Sequence, residues 1–141
     1  MATRTLRVYL AYAEGDERCR DLLVSEALRE KLAVDFLYMP AKQPWVPRWK
    51  AACRDRVFQC DGAIIPITKR IHQAEGVRTE LEYIGESGVP AIGIYMDRYQ
   101  GPVPAHYQHW PVVEWNWPQI ASFIRSLGSS SGAGGKAAGQ G

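Results

Sequence analysis

Five short apolar runs alternate with four stretches of helical period along this chain. The runs are Val8–Tyr12, Val34–Tyr38, Ala63–Ile67, Val89–Tyr95 and Val112–Trp117. The third and fourth are almost continuously apolar, as in strands covered on both faces. The fifth sets Val113, Trp115 and Trp117 against Glu114 and Asn116, which predicts an edge strand. The first helix opens at Asp16, a residue suited to an N-cap, and runs to about Leu32. The second starts near Pro47 and repeats Trp49, Cys53, Val57 and Cys60. The third carries Val77, Leu81 and Ile84 and closes at Gly88. The fourth starts at Pro118, aligns Ile120, Phe123, Ile124 and Leu127, and ends at Gly128.

Alternation of this kind predicts an α/β fold, a three-layer, doubly wound parallel sheet. For five strands the expected arrangement is flavodoxin-like, in the order 2-1-3-4-5, with a ligand crevice beyond the carboxyl ends of strands one and three. The loop Ala11–Asp16 and the segment Thr68–Glu80 leave those two strands. Glu80 falls inside the apolar stripe of the third helix, whereas Glu82, about 200° further round, faces water. An inward carboxylate has to be paired, solvated in a cleft or used chemically, because burying an unpaired charge is costly. The readings open are an ion pair with an arginine such as Arg78, a helix rotated by half a residue, or an active-site carboxylate.

Composition narrows the class. A chain of 141 residues builds one domain, placed at 1–128, and the Gly/Ser/Ala-rich tail 129–141 is expected to be disordered. A net charge of +2 without a basic run argues against nucleic acid as a partner. No apolar run reaches the ~18 residues of a membrane span, and the first seven residues hold no signal-peptide core. Three cysteines without paired spacing fit small core residues in a reducing compartment, so a cytoplasmic location is expected. No metal site is expected, since His106 and His109 lie in a proline-rich loop without a cysteine pair. The loops Met39–Val46 and Met96–Pro111 are longer than packing requires, as functional loops often are.

Several nucleotide folds lack their defining parts here. There is no GxxxxGK[ST] loop and no GxGxxG after the first strand. Ile65-Pro66-Ile67-Thr68 has no acceptor aspartate for a phospho-receiver, and Ala13-Glu14-Gly15-Asp16 is not a flavodoxin phosphate loop.

The segment Val8-Tyr9-Leu10-Ala11-Tyr12-Ala13-Glu14-Gly15-Asp16 resembles the first box of Toll/interleukin-1 receptor (TIR) domains, with Tyr12 and Asp16 in register and alanines at two usual serine positions. Gly76-Val77-Arg78-Thr79-Glu80-Leu81 resembles their Trp-Cys-x-x-Glu-Leu segment, with Gly76 in place of tryptophan. Gly88-Val89-Pro90-Ala91-Ile92 resembles the turn and strand that follow. The basic residue before the glutamate is similar to the TIR-like proteins of bacterial Thoeris antiphage systems.

The resemblance implies an enzyme that cleaves the nicotinamide–ribose bond of NAD+, taken as substrate rather than cofactor. ADP-ribose or a cyclic ADP-ribose-type signal is the implied product. Glu80 matches the catalytic glutamate. Ala11, Tyr12 and Ala13 would line the crevice floor, and Trp45 or Trp49 would stack on a base, Trp49 being equally a core residue. Arg78, with Lys69 and Arg70 as further candidates, would neutralise the diphosphate or sit as a solvated charge. Self-association or an effector protein is the implied partner. The alternatives are a non-catalytic TIR-like adaptor and a nucleoside deoxyribosyltransferase-like enzyme.

Overall fold

The computed structural model describes residues 4–133. Its strands are β1 (Leu6–Leu10), β2 (Val34–Leu37), β3 (Gly62–Ile67), β4 (Ala91–Tyr95) and β5 (Val112–Glu114). Its helices are α1 (Glu17–Arg29), α2 (Pro47–Phe58), α3 (Glu75–Ser87) and α4 (Trp117–Ala133), with a 3-10 turn at Lys69–Gln73. All neighbouring strands pair in parallel, in the order β2-β1-β3-β4-β5. The expected flavodoxin-like α/β architecture is the one found.

β3 is buried at all six positions, which explains its unbroken apolar sequence. Alternation along β1 divides the core into two layers. Tyr9, Ala11 and Ala13 pack with Cys53, Val57, Val77, Leu81 and Ile84, from α2 and α3. Val8, Leu10 and Tyr12 pack with Cys19 and Leu23 of α1 and with Ile120, Ile124 and Leu127 of α4. β5 spans three residues at the sheet edge, and Trp115 stacks on Trp117 just beyond it.

Helix ends depart from expectation where side chains find better partners. Asp16 stands at the N-cap position of α1, but its carboxylate makes no capping bond there. It accepts hydrogen bonds from Thr68 Oγ1 at 2.5 Å and Arg70 Nη1 at 3.0 Å instead. α1 stops at Arg29, short of Leu32, because Lys31 turns left-handed (φ 58°). Leu32 N–H then bonds Ala27 O at 3.0 Å and Lys31 N–H bonds Leu28 O at 3.1 Å, a Schellman arrangement. Gly88 closes α3 as expected, at φ 75°. Gly128 takes no such conformation, so α4 continues through it to Ala133 rather than ending there. The remainder of the expected disordered tail, 134–141, lies outside the described residues, as do residues 1–3. Among the described residues no helix is long and apolar enough to cross a membrane.

Candidate active site

A crevice of about 450 Å³ opens beyond the carboxyl ends of β1 and β3, where the topology placed it. The β1 loop supplies Ala13 and Glu14, the loop after β2 supplies Lys42, Pro44 and Trp45, and the segment after β3 supplies Arg70 and the run Gln73 to Val77, Gly76 among them. Trp45 is 70% exposed, so a large aromatic surface stands free at the rim.

Glu80 lies one turn into α3, fully buried, and does not itself border the crevice. Tyr9 donates its hydroxyl hydrogen to Glu80 Oε2, and Lys42 Nζ approaches the same oxygen at 2.9 Å. The other carboxylate oxygen, Oε1, has no hydrogen-bond partner. Tyr9 hydroxyl also lies 3.6 Å from Cys53 Sγ. Burial pushes the Glu80 carboxyl above its usual range, and the Lys42 charge and the two hydrogen bonds only partly oppose this. Burial, reinforced by the Glu80 charge, lifts Tyr9 well above the ordinary phenol range, so its hydroxyl stays a donor. The ion-pair partner of Glu80 is therefore Lys42 of the loop after β2, and Arg78 instead donates to His72 O at 3.1 Å.

Gly76 explains how Lys42 gets there. A Cβ at Gly76 would lie 2.9 Å from Lys42 Cβ and 3.3 Å from its Cγ and Cδ. The space of the side chain that residue 76 lacks is filled by the lysine stem. The ammonium then sits 4.3 Å from the centroid of the Tyr12 ring, whose hydroxyl accepts a hydrogen bond from Arg20 Nη1 at 2.9 Å.

The sequence candidates separate accordingly. Ala13 and Trp45 line the crevice. Ala11 is buried in the layer facing α2 and α3, bonded through its backbone N–H to Ile64 O. Tyr12 is buried in the opposite layer and touches Lys42. Trp49 is a core residue whose indole donates to Ala41 O at 2.5 Å, tying the Lys42 loop to α2. Arg78 is half-buried away from the crevice lining, whereas Arg70 borders it. Sequence reasoning missed Lys42 and Tyr9. Tyr9 was detectable in principle, since its position alternates onto the same face as Ala11 and Ala13; Lys42 carried no local signal. Glu82 is exposed, 3.9 Å from His106 Nε2.

Asp16, Cys19 and Asp97 bring ligating atoms within 4.8 Å of one another. Asp16 is engaged by Arg70, Asp97 pairs with Arg18, and burial lifts the Cys19 thiol to about 12. This donor set fits an ion-paired cluster better than a cation site.

No protein-family profile and no curated protein sequence matches the chain. Solved structures do. The SEFIR domain of IL-17 receptor B aligns with a TM-score of 0.53 at 9% identity, over 88% of this chain and 95% of its own. A prokaryotic SEFIR domain aligns with a TM-score of 0.51 at 14% identity, over 88% and 90%. A 3-dehydroquinate dehydratase-like protein from Bifidobacterium longum reaches 0.52 at 10% identity, over 88% and 96%. Identities this low speak for the fold alone. By that measure the chain shares the doubly wound α/β fold of these structures, the SEFIR domains among them, which agrees with the TIR-like resemblance at the level of fold.

Proposed function

We propose that the protein cleaves the bond between nicotinamide and ribose in NAD+, with Glu80 as the catalytic carboxylate and the crevice over Gly76 as the dinucleotide site. The observation that carries this is the state of Glu80: wholly enclosed, raised in pKa, with Oε1 unpartnered, and paired through Oε2 with Lys42, which itself borders a concavity of ligand size. Most buried polar side-chain atoms have a hydrogen-bond partner, so an open carboxylate oxygen at this depth calls for an explanation.

The chemistry suits one carboxylate. When the N-glycosidic bond breaks, its electron pair leaves with nicotinamide, which departs neutral and needs no proton. Positive charge develops on the ribose ring, and a carboxylate in a low-dielectric site stabilises it. C1′ then takes an oxygen from water, or a base nitrogen of the same molecule, and one proton is released. Trp45 offers a stacking face, and Arg70 a guanidinium for the diphosphate. Lys42 borders the crevice and holds Glu80, so substrate reaches the carboxylate when the Met39–Val46 loop withdraws that lysine. The antiphage setting rests on the resemblance of Val77-Arg78-Thr79-Glu80 alone.

A second reading is favoured by one specific observation: Glu80 is already ion-paired and does not line the crevice, as suits a non-catalytic TIR-like adaptor. Nicotinamide release from NAD+, followed by chromatography over a range of protein concentrations, separates the two. Glu80→Gln is expected to abolish release while keeping a cooperative melt. Wild-type turnover in that variant makes Glu80 structural and leaves the adaptor.

A further inference from the structure

A second concavity, of about 420 Å³, adjoins the crevice at the carboxyl ends of β3 and β4. It is lined by Arg18, Lys69, Arg70, Asp97, Arg98 and Tyr99. Four cations thus converge on one hollow in a chain whose net charge is only +2. Arg70 borders both concavities and is their common wall.

Arg70 is held in place before any ligand arrives. The fully buried Asp16 carboxylate binds its Nη1 at 3.0 Å. Its stem packs over Gly15, where a Cβ would come within 3.1 Å of Cδ and Nε. Gly15 sits at φ +95°, a conformation open to glycine, so both the backbone and the missing side chain serve this contact. Nη1 of the guanidinium is spent on Asp16, while the side chain stays about half exposed and borders both hollows.

Two of the other three cations are not neutralised internally. Arg18 pairs with Asp97, but among the described residues Lys69 and Arg98 have no ion-pair partner. Arg98 is presented by a turn in which Asp97 (φ 55°) and Arg98 (φ 63°) are both left-handed without being glycine, closed by Tyr99 N–H to Met96 O at 3.0 Å. Such a backbone costs free energy and is typical of functional segments. Like charges gathered in a concave site repel one another until an anion joins them, and guanidinium groups match phosphate geometry.

We propose that this basic hollow is a second phosphate subsite, so that the crevice takes a nucleotide carrying a phosphate beyond its diphosphate. Arg70 would bridge the two anionic groups, with Lys69 and Arg98 closing on the outer one. The inference rests on the dinucleotide reading above and specifies which dinucleotide class is preferred.

Isothermal titration calorimetry at ~50 mM salt tests it with two ligand pairs, NADP+ against NAD+ and adenosine 2′,5′-bisphosphate against AMP. The added phosphate is expected to tighten binding about tenfold or more in both pairs, as one or two charge-assisted contacts provide. Lys69→Ala and Arg98→Ala should each reduce that gain while the melting temperature stays near wild type. The proposal is overturned if the extra phosphate adds nothing in wild type, or if the gain survives in both variants. The second pair contains no nicotinamide, so the two proposals fail separately. A phosphate gain without nicotinamide release removes the cleavage reading and keeps the subsite. Release without a phosphate gain does the reverse.

Discussion

Lys42 Nζ lies 2.9 Å from Glu80 Oε2, with both side chains almost wholly out of solvent, and it reaches that position across the bare face of Gly76. The pair joins the loop after β2 to the helix after β3. Glu80 is thereby held in a resting arrangement in which Lys42 and Tyr9 share one of its oxygens.

Replacing Lys42 by methionine leaves the carboxylate buried with only the Tyr9 hydroxyl for support. At pH 7 this should cost about 3 kcal/mol, the order seen when one partner of a buried pair is removed. The loss should depend on pH in a fixed direction. The Glu80 carboxyl is already raised above 4.5 in the folded protein and rises further without the lysine charge. A group raised on folding contributes most below its unfolded pKa, and that contribution is lost as pH climbs through the folded value. Melting curves between pH 4.5 and 7.5 should therefore show the gap between wild type and Lys42→Met narrowing toward acid. A constant gap would mean that Glu80 is not the group responding.

Gly76→Ala tests how Lys42 is admitted. The new Cβ meets the lysine stem at 2.9 Å, close to the backbone end of that side chain, so the stem has to move. Nicotinamide release at low protein concentration should rise several-fold as Glu80 is uncovered. Slower release would mean that Lys42 holds substrate rather than shielding the carboxylate.

Glu82→Gln, on the opposite face of α3, is the control for helix orientation. Exposed substitutions of this kind stay within about 0.5 kcal/mol, and turnover should match wild type. Lost activity here, together with a harmless Glu80→Gln, would reverse the assignment of the two glutamates.

Trp45 presents its ring at the crevice rim on a loop stiffened by Pro40 and Pro44. A large exposed aromatic on a stiff loop is suited to an interface with a second copy. Trp45→Ala should then reduce NAD+ consumption more at low than at high protein concentration. Specific activity flat across two decades of dilution, for both proteins, would remove assembly from the account.

Much of the fold was legible because its causes are local. The apolar runs, their near-continuity at β3, the helical stripe of α3 and the glycine stop at Gly88 follow from period and propensity within a few residues. Strand–helix alternation then dictated the parallel order, and the order placed a crevice between β1 and β3. Glu80 was identified as inward-facing by the same logic. What the sequence did not reveal are meetings between residues far apart in the chain. Asp16 had the local credentials of a capping residue, yet Thr68 and Arg70, brought beside it by strand pairing, made a better use of its carboxylate. In the sequence Gly76 is only a glycine in place of the tryptophan of the resembled motif, and the packed structure turned that absence into room for Lys42. Periodicity records which way a side chain points. Which partner waits there depends on loops whose paths are set by the whole sheet, and that was decided by tertiary structure alone.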